Sequence, residues 1–198
     1  MILFFDTETT SLPIKHLPVN HPDQPHLVQL AALLVDEDGT ERAGLNLIVE
    51  PDGYEIPEAT SNVHGITTEL AKRWGVPLSA AVWPFVCMRS QARLIVAHNI
   101  KFDLAVMEAA IFRLPKRNFH PGPSERFCTM ERSAPIVNLP PTDRMRAAGI
   151  DKPKPPKLEE AYRHFFGEEL VGAHDALADV RACKRIYFEL IKPITAAA

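Results

Sequence analysis

Four carboxylates and one histidine, carried in three short motifs, are the residues of this chain best suited to chemistry. Asp6 and Glu8 lie in Phe4-Phe5-Asp6-Thr7-Glu8-Thr9-Thr10, and Asp103 ends Ala97-His98-Asn99-Ile100-Lys101-Phe102-Asp103. His174 and Asp179 bound His174-Asp175-Ala176-Leu177-Ala178-Asp179. Each motif sits at the start or end of an element that is otherwise apolar. An unpaired carboxylate is costly to desolvate. Four of them converging would repel one another and would need a compensating charge, most simply hard divalent cations held by oxygen ligands. The residue types point to a metal-dependent enzyme, with two-metal chemistry on phosphate esters as the leading expectation.

Spacing says which elements must present these groups. Asp6 and Glu8 are two apart, so on an extended strand they share a face. Asp103 opens an amphipathic helix; taken alone, it also fits an acid favoured by the helix dipole, and His98-Asn99 before it fits an N-terminal cap. His174 and Asp179 are about 140° apart around an ideal helix and would not share a face. Both reach one site if His174 stays in the preceding loop with Asp175 as the N-cap. A histidine placed there can take a proton from water.

Apolar runs and turn residues predict strands at Ile2–Phe5, Leu27–Val35 and near Leu45–Val49, the last two joined through Asp36-Glu37-Asp38-Gly39 as a hairpin. Pro57 to Gly65 reads as irregular, followed by helices at about Thr67–Arg73 and Ser79–Arg89 and a short buried strand at Arg93–Ala97. Leu104, Met107, Ile111 and Leu114 form the stripe of a helix that Pro115 closes. The stretch from Pro115 to Pro156 reads as loop-rich, with one short strand at Phe127–Thr129. Helices at Lys157–Phe166 and Asp175–Leu190 follow, the second with Leu177, Val180, Cys183, Tyr187 and Leu190 on one face. Trp74 and Trp83 read as core, as does Gln29-Leu30, despite a faint likeness to a clamp-binding peptide. A hairpin sheet with later strand–helix units is a mixed α/β layer fold.

Composition sets bounds. The chain has 198 residues, 46% hydrophobic and 24% charged, which suits one well-packed core. Its three cysteines are odd in number and lack CxxC spacing, so a reduced setting fits better than a disulfide framework or a zinc site. The first strand begins at Met1-Ile2 with no basic leader or long apolar segment before it, and the expected location is cytoplasmic. Formal net charge is −3, yet Arg113 to Lys157 carries ten Lys or Arg against four Asp or Glu, and nine of the 18 prolines. A basic strip beside an acidic site suits a polyanion drawn toward metals.

The order Asp-x-Glu, then His-Asn-x-x-Phe-Asp, then His-x-x-x-x-Asp resembles the DEDDh group of the DnaQ-like 3′–5′ exonuclease family, in wording closest to bacterial replicase proofreading subunits. The resemblance runs from Phe4 to about Tyr187. Val63-His64-Gly65-Ile66-Thr67 looks like the family's segment between the first two motifs, and Lys157-Leu158 like its approach to the third. His174 points to the histidine branch, since the tyrosine branch would place Tyr where Asp175 stands.

The resemblance implies an α/β RNase H-like fold, a central mixed five-stranded sheet flanked by helices. It implies residues 1–198 as a single exonuclease domain with a basic proline-rich excursion at about 115–156. It also implies two Mg²⁺ or Mn²⁺ ions, with Asp6 bridging both, Glu8 and Asp179 completing one shell and Asp103 serving the other. His174 would be the general base. Thr7, Leu12, Val63, His64, His98, Asn99 and Phe102 match the family's substrate contacts, Leu12 as an apolar wedge between terminal bases. Ser11 departs from the pattern, standing where the family usually has Gly. The implied reaction is hydrolysis of phosphodiesters at single-stranded or frayed 3′ ends of DNA to 5′-mononucleotides, in proofreading or repair. RNA trimming by the same chemistry is the alternative, and a non-catalytic nucleic-acid or polymerase-binding module is the reading from a different class. A polymerase partner would be a separate chain.

Overall fold

A computed structural model of the chain describes residues 1–115 and 125–192. The elements in chain order are β1 (Ile2–Thr9), β2 (Leu27–Val35), β3 (Glu41–Ile48), α1 (Glu58–His64), α2 (Thr68–Trp74), α3 (Leu78–Gln91), β4 (Leu94–Ala97) and α4 (Ile100–Phe112). After these come β5 (Glu125–Cys128), α5 (Thr129–Val137), α6 (Asp143–Ala147), α7 (Leu158–Phe166) and α8 (Ala176–Leu190). The five strands form one mixed sheet in the order β3-β2-β1-β4-β5. The β1–β2 and β2–β3 pairs are antiparallel, and β1–β4 and β4–β5 are parallel. This is the RNase H-like arrangement that the motif order implies.

The period-2 alternation of β1 divides the core. Leu3 and Phe5 pack with Phe85 of α3 and Val106 and Met107 of α4 on one face. Ile2 and Phe4 pack with Val180, Cys183 and Ile186 of α8 and Tyr162 of α7 on the other. β2 is buried along its whole length because both its faces are covered, and it reads accordingly as Leu-Val-Gln-Leu-Ala-Ala-Leu-Leu-Val.

The hairpin turn forms as its residues predict, with Gly39 at φ 91 and its N–H bonded to the Asp36 carbonyl at 3.1 Å. Four expectations need correction, the last of them the core reading of Trp74. β3 starts four residues earlier than its apolar pattern suggests, because Glu41, Ala43 and Gly44 pair with β2 along an exposed edge, with Arg42 at a register irregularity between them, and need no apolar face. The segment taken as irregular holds α1, closed by Gly65 in the left-handed conformation (φ 76).

The third concerns the stretch read as loop-rich, which contains α5 and α6 besides the expected short strand, β5, found at Glu125–Cys128. Pro135 lies inside α5, but the fully buried Thr129 and Ser133 and packing against α7 and α8 hold that helix. Tertiary contact outweighs the proline penalty there. The part of the basic excursion at 116–124 lies outside the described residues. Trp83 packs against the core as expected, whereas Trp74 is 62% exposed, with the Arg73 guanidinium over its ring. All three cysteines are free, and no described helix is long and apolar enough to cross a membrane.

Candidate active site

β1 runs on past its apolar half without changing its alternation. Asp6 and Glu8 therefore continue the Ile2–Phe4 face toward α8, and Thr7 continues the Leu3–Phe5 face toward α4. Asp103 sits at the fourth position of α4 and Asp179 at the fourth position of α8. Both fall on buried stripes, Ile100-Asp103-Met107-Ala110 and Ala176-Asp179-Cys183-Ile186, where an apolar side chain is the norm. Asp103 is only 1% exposed and Asp179 9%. The packing that builds the core thus carries two carboxylates into it.

The loop before α8 brings His174 to the same place. Asp175 caps the helix, its side chain accepting from Ala178 N–H at 3.0 Å, as the motif predicts. His174 stands at φ 69 with its N–H donated to Asp179 Oδ2 at 3.2 Å. Glu8, His174 and Asp179 each offer a ligand atom within 4.8 Å of the others.

Electrostatics shows that all four acids share one field. Burial, and then the charges of Asp103, Asp179 and Glu8, push the Asp6 pKa well above the ordinary carboxylate range. Burial followed by Asp179 and Asp103 raises Glu8 to about 8. Asp103 is pushed up to about 7 by burial, against two hydrogen bonds from Thr7 that pull it down. Asp179 rises by burial to about 6, opposed by the His174 N–H and ring. Crowded, desolvated carboxylates of this kind hold protons unless a cation replaces them.

Two oxygens, Asp103 Oδ2 and Asp179 Oδ1, are buried with no hydrogen-bond partner. An orphaned carboxylate oxygen is expensive in a protein interior. Two of them beside two further acids make an oxygen-rich donor set that fits hard divalent cations. Glu8, His174 and Asp179 have ligand atoms close enough to share an ion, and Asp6 and Asp103 lie in the same electrostatic field.

The softer site residues separate into two groups. Leu12 is 76% exposed and lines a groove of about 530 Å³ with Asn99, Phe102, Lys15 and Lys101. Val63 is 53% exposed at the end of α1. Next to it, His64 Nδ1 accepts from Ile66 N–H at 3.1 Å. Burial lowers the His64 pKa, against the favourable Thr9 carbonyl, with the His174 ring near enough to add to the lowering. Ser11 is exposed and its φ lies outside the left-handed region, so this position has no backbone need for Gly. Its carbonyl accepts the Thr9 hydroxyl at 2.8 Å.

Thr7 and His98 face inward. Thr7 is buried and bound to Asp103. His98 lies 2.9 Å from Thr129 Oγ1 through Nδ1 and 3.0 Å from the Pro156 carbonyl through Nε2. The carbonyl can only accept, so Nε2 carries the proton and Nδ1 accepts from the Thr129 hydroxyl. Burial lowers the His98 pKa to about 4, which keeps the ring neutral. Both of its nitrogens are engaged within the protein.

Three residues outside the motifs complete the surroundings. Gln29, across from Glu8 in the β1–β2 register, bonds Asn46 at 2.9 Å and Asp175 and Ala176 at 3.4 Å, tying β2 to the start of α8. A lone amide in an apolar strand was a visible signal for it. Glu159 lies 3.5 Å from His174 Nε2, and Thr129 supports His98. Neither carries a local signature; only the fold brings them here.

Comparison with known proteins agrees with this arrangement. The family model for RNase T-type exonucleases matches residues 3–187. Similar solved structures include Escherichia coli Exonuclease I with a dT13 oligonucleotide, at 21% identity and a TM-score of 0.67, covering 96% of this chain and 41% of that one. The same enzyme with dA16 gives 22% identity and 0.69 over 93% and 39%. Exonuclease I of Methylocaldum szegediense gives 20% and 0.68 over 98% and 40%. The chain spans about two fifths of the length of these structures. A comparison with curated protein sequences gave no match. With its five-stranded mixed sheet and the family match over nearly the whole chain, this protein belongs to the DnaQ-like (DEDDh) 3′–5′ exonuclease family.

Proposed function

We propose that this protein hydrolyses phosphodiester bonds at the 3′ end of single-stranded DNA, releasing 5′-mononucleotides with the help of two Mg²⁺ or Mn²⁺ ions. The observation that carries the reading is the convergence of Asp6, Glu8, Asp103 and Asp179 with two buried, unpartnered oxygens, beside a half-exposed histidine. A cluster without catalytic purpose would have lost at least one of these costly groups. Oligonucleotide-bound Exonuclease I structures support DNA as the polymer.

Each residue has a defined task in this reading. Asp6, Glu8, Asp103 and Asp179 would hold the cations, whose chemistry when bound would be to lower the pKa of an attacking water and stabilise the leaving 3′-oxygen. His174 takes one proton from that water, the water oxygen bonds to phosphorus, and the P–O3′ bond breaks; the departing oxygen acquires its proton from solvent. Leu12 and Phe102 present apolar surface for the terminal bases, with Val63, His64 and Asn99 at the rim. Thr7 and His98 act from within, fixing Asp103 and the approach to α7. Residues 1–198 form one catalytic unit, with proofreading or repair of DNA as its use and any polymerase supplied as a separate chain.

The test is digestion of matched 5′-labelled single-stranded DNA and RNA with Mg²⁺ or Mn²⁺, beside Asp6→Ala and an EDTA control. A DNA ladder shortening from the 3′ end, abolished by both controls, is the expected result. Faster RNA trimming would transfer the reading to an exoribonuclease. No cleavage of either polymer by folded, metal-supplied protein would leave a binding module.

A further inference from the structure

One carboxylate near the site belongs to none of the motifs. Glu159 occupies the second position of α7, and its Oε1 lies 3.5 Å from His174 Nε2. The Glu159 side chain is 29% exposed and that of His174 49%, so the pair stands partly out of solvent, where its attraction is less screened.

The two residues are held from opposite sides. The His174 backbone is fixed in the left-handed region by Asp179 Oδ2, an uncommon state for a non-glycine residue. That bond sets where the ring is attached but not how it turns. α7 starts from an independent anchor: the His98 Nε2–H bonds the Pro156 carbonyl at 3.0 Å, and Glu160 Oε2 accepts from Lys157 N–H at 2.7 Å. The Lys154 ammonium reaches both Glu160 oxygens at 2.6 and 2.8 Å. Glu159 is thus presented to the ring from a turn tied to the end of β4, independently of the loop that carries His174.

We propose that Glu159 is a positioning residue that sets the rotamer and tautomer of His174. The contact stands at ion-pair distance, 3.5 Å, without a formed hydrogen bond; because a carboxylate can only accept, closing it would turn Nε2–H toward Glu159 and leave Nδ1 as the nitrogen open to the attacking water. The same logic orients ligating and catalytic histidines through a carboxylate behind the ring. The kinetic consequence rests on the exonuclease reading; the ring's tautomer does not.

The experiment therefore begins with nitrogen-15 NMR of the imidazole side chains in the metal-free full chain at about pH 8, above the ordinary imidazole range. His174→Gln identifies the His174 signal. The Nε2–H form is expected to be nearly exclusive in the unsubstituted protein and to fall in Glu159→Ala toward the free-imidazole balance, in which both tautomers are populated and Nε2–H leads. In DNA digestion, Glu159→Ala should lower kcat roughly 10- to 100-fold with little change in KM. Glu159→Gln, which keeps an oxygen acceptor, should restore most of the loss. A dominant Nδ1–H form in the unsubstituted protein overturns the proposal, even if Glu159→Ala fails to fold. So does a folded Glu159→Ala variant with tautomer and kcat unchanged, or an effect confined to KM. Absence of any digestion by the unsubstituted protein would instead sink the exonuclease reading, and the tautomer would still decide the placement of the ring.

Discussion

A single oxygen of Asp103 accepts both polar hydrogens of Thr7, the backbone N–H at 3.1 Å and the hydroxyl at 2.8 Å, while its other oxygen is buried without a partner. The strand thereby fixes the carboxylate's orientation and keeps one oxygen free. Asparagine preserves the acceptor toward Thr7 and replaces the free oxygen with an uncharged amide. Asp103→Asn should lower exonuclease activity about a thousandfold, the scale of several kcal/mol of charge stabilisation at the transition state. It should also raise the melting temperature of the metal-free protein at neutral pH by removing a buried like charge. An active Asp103→Asn enzyme would refute its assigned task.

Stability of the metal-free protein should fall as pH rises. Folded Glu8 titrates at about 8, Asp103 at about 7 and Asp179 at about 6, all above their ordinary values. Between about pH 4 and 8 the folded state consequently binds more protons than the unfolded chain, and linkage makes stability decline across that window. The protonated acids contribute their full effect below it and lose it through their folded pKa values. Denaturant melts at about pH 5 and 8 in EDTA will decide; greater stability at the higher pH would contradict the burial of this cluster.

Divalent cations should reverse that trend. Ions at a hundred times their dissociation constant add about 2.7 kcal/mol of stability by mass action. For a chain of this size that corresponds to a rise of roughly 5 to 10 °C in melting temperature. The gain should be largest near pH 8, where the acids are most ionised, and should be lost in Asp6→Asn. Thermal melts with and without Mn²⁺ will measure it, and an unchanged Asp6→Asn response would move the cations elsewhere.

Gln29 tests how much the site depends on its supports. Gln29→Leu removes bonds to the exposed Asn46 and Asp175, which can turn to water, and to the buried Ala176 N–H, and should cost about 1 kcal/mol in urea unfolding. Because it loosens the start of α8, which carries Asp179 and follows His174, activity should fall more than KM changes. A fully active, equally stable variant would make the amide incidental.

What the chain alone determined is the family and the set of groups proposed to act. Asp6 and Glu8 had to share a face because strand side chains alternate, and His174 had to remain in the loop because Asp175 is a good N-cap. The motif order identified the family, and the apolar runs located most of the sheet. What only the tertiary structure decided is which groups meet across the sheet. Thr7 finding Asp103 depends on α4 lying over one face, and Glu159 finding His174 depends on two helices that pack on the other. α5 persisted through Pro135, and β3 formed along an exposed edge, because long-range packing and pairing outweighed local preference. Local spacing encodes which residues can act together on one element; contacts between elements are fixed by the packing of the whole core, and that reads out only when the chain is folded.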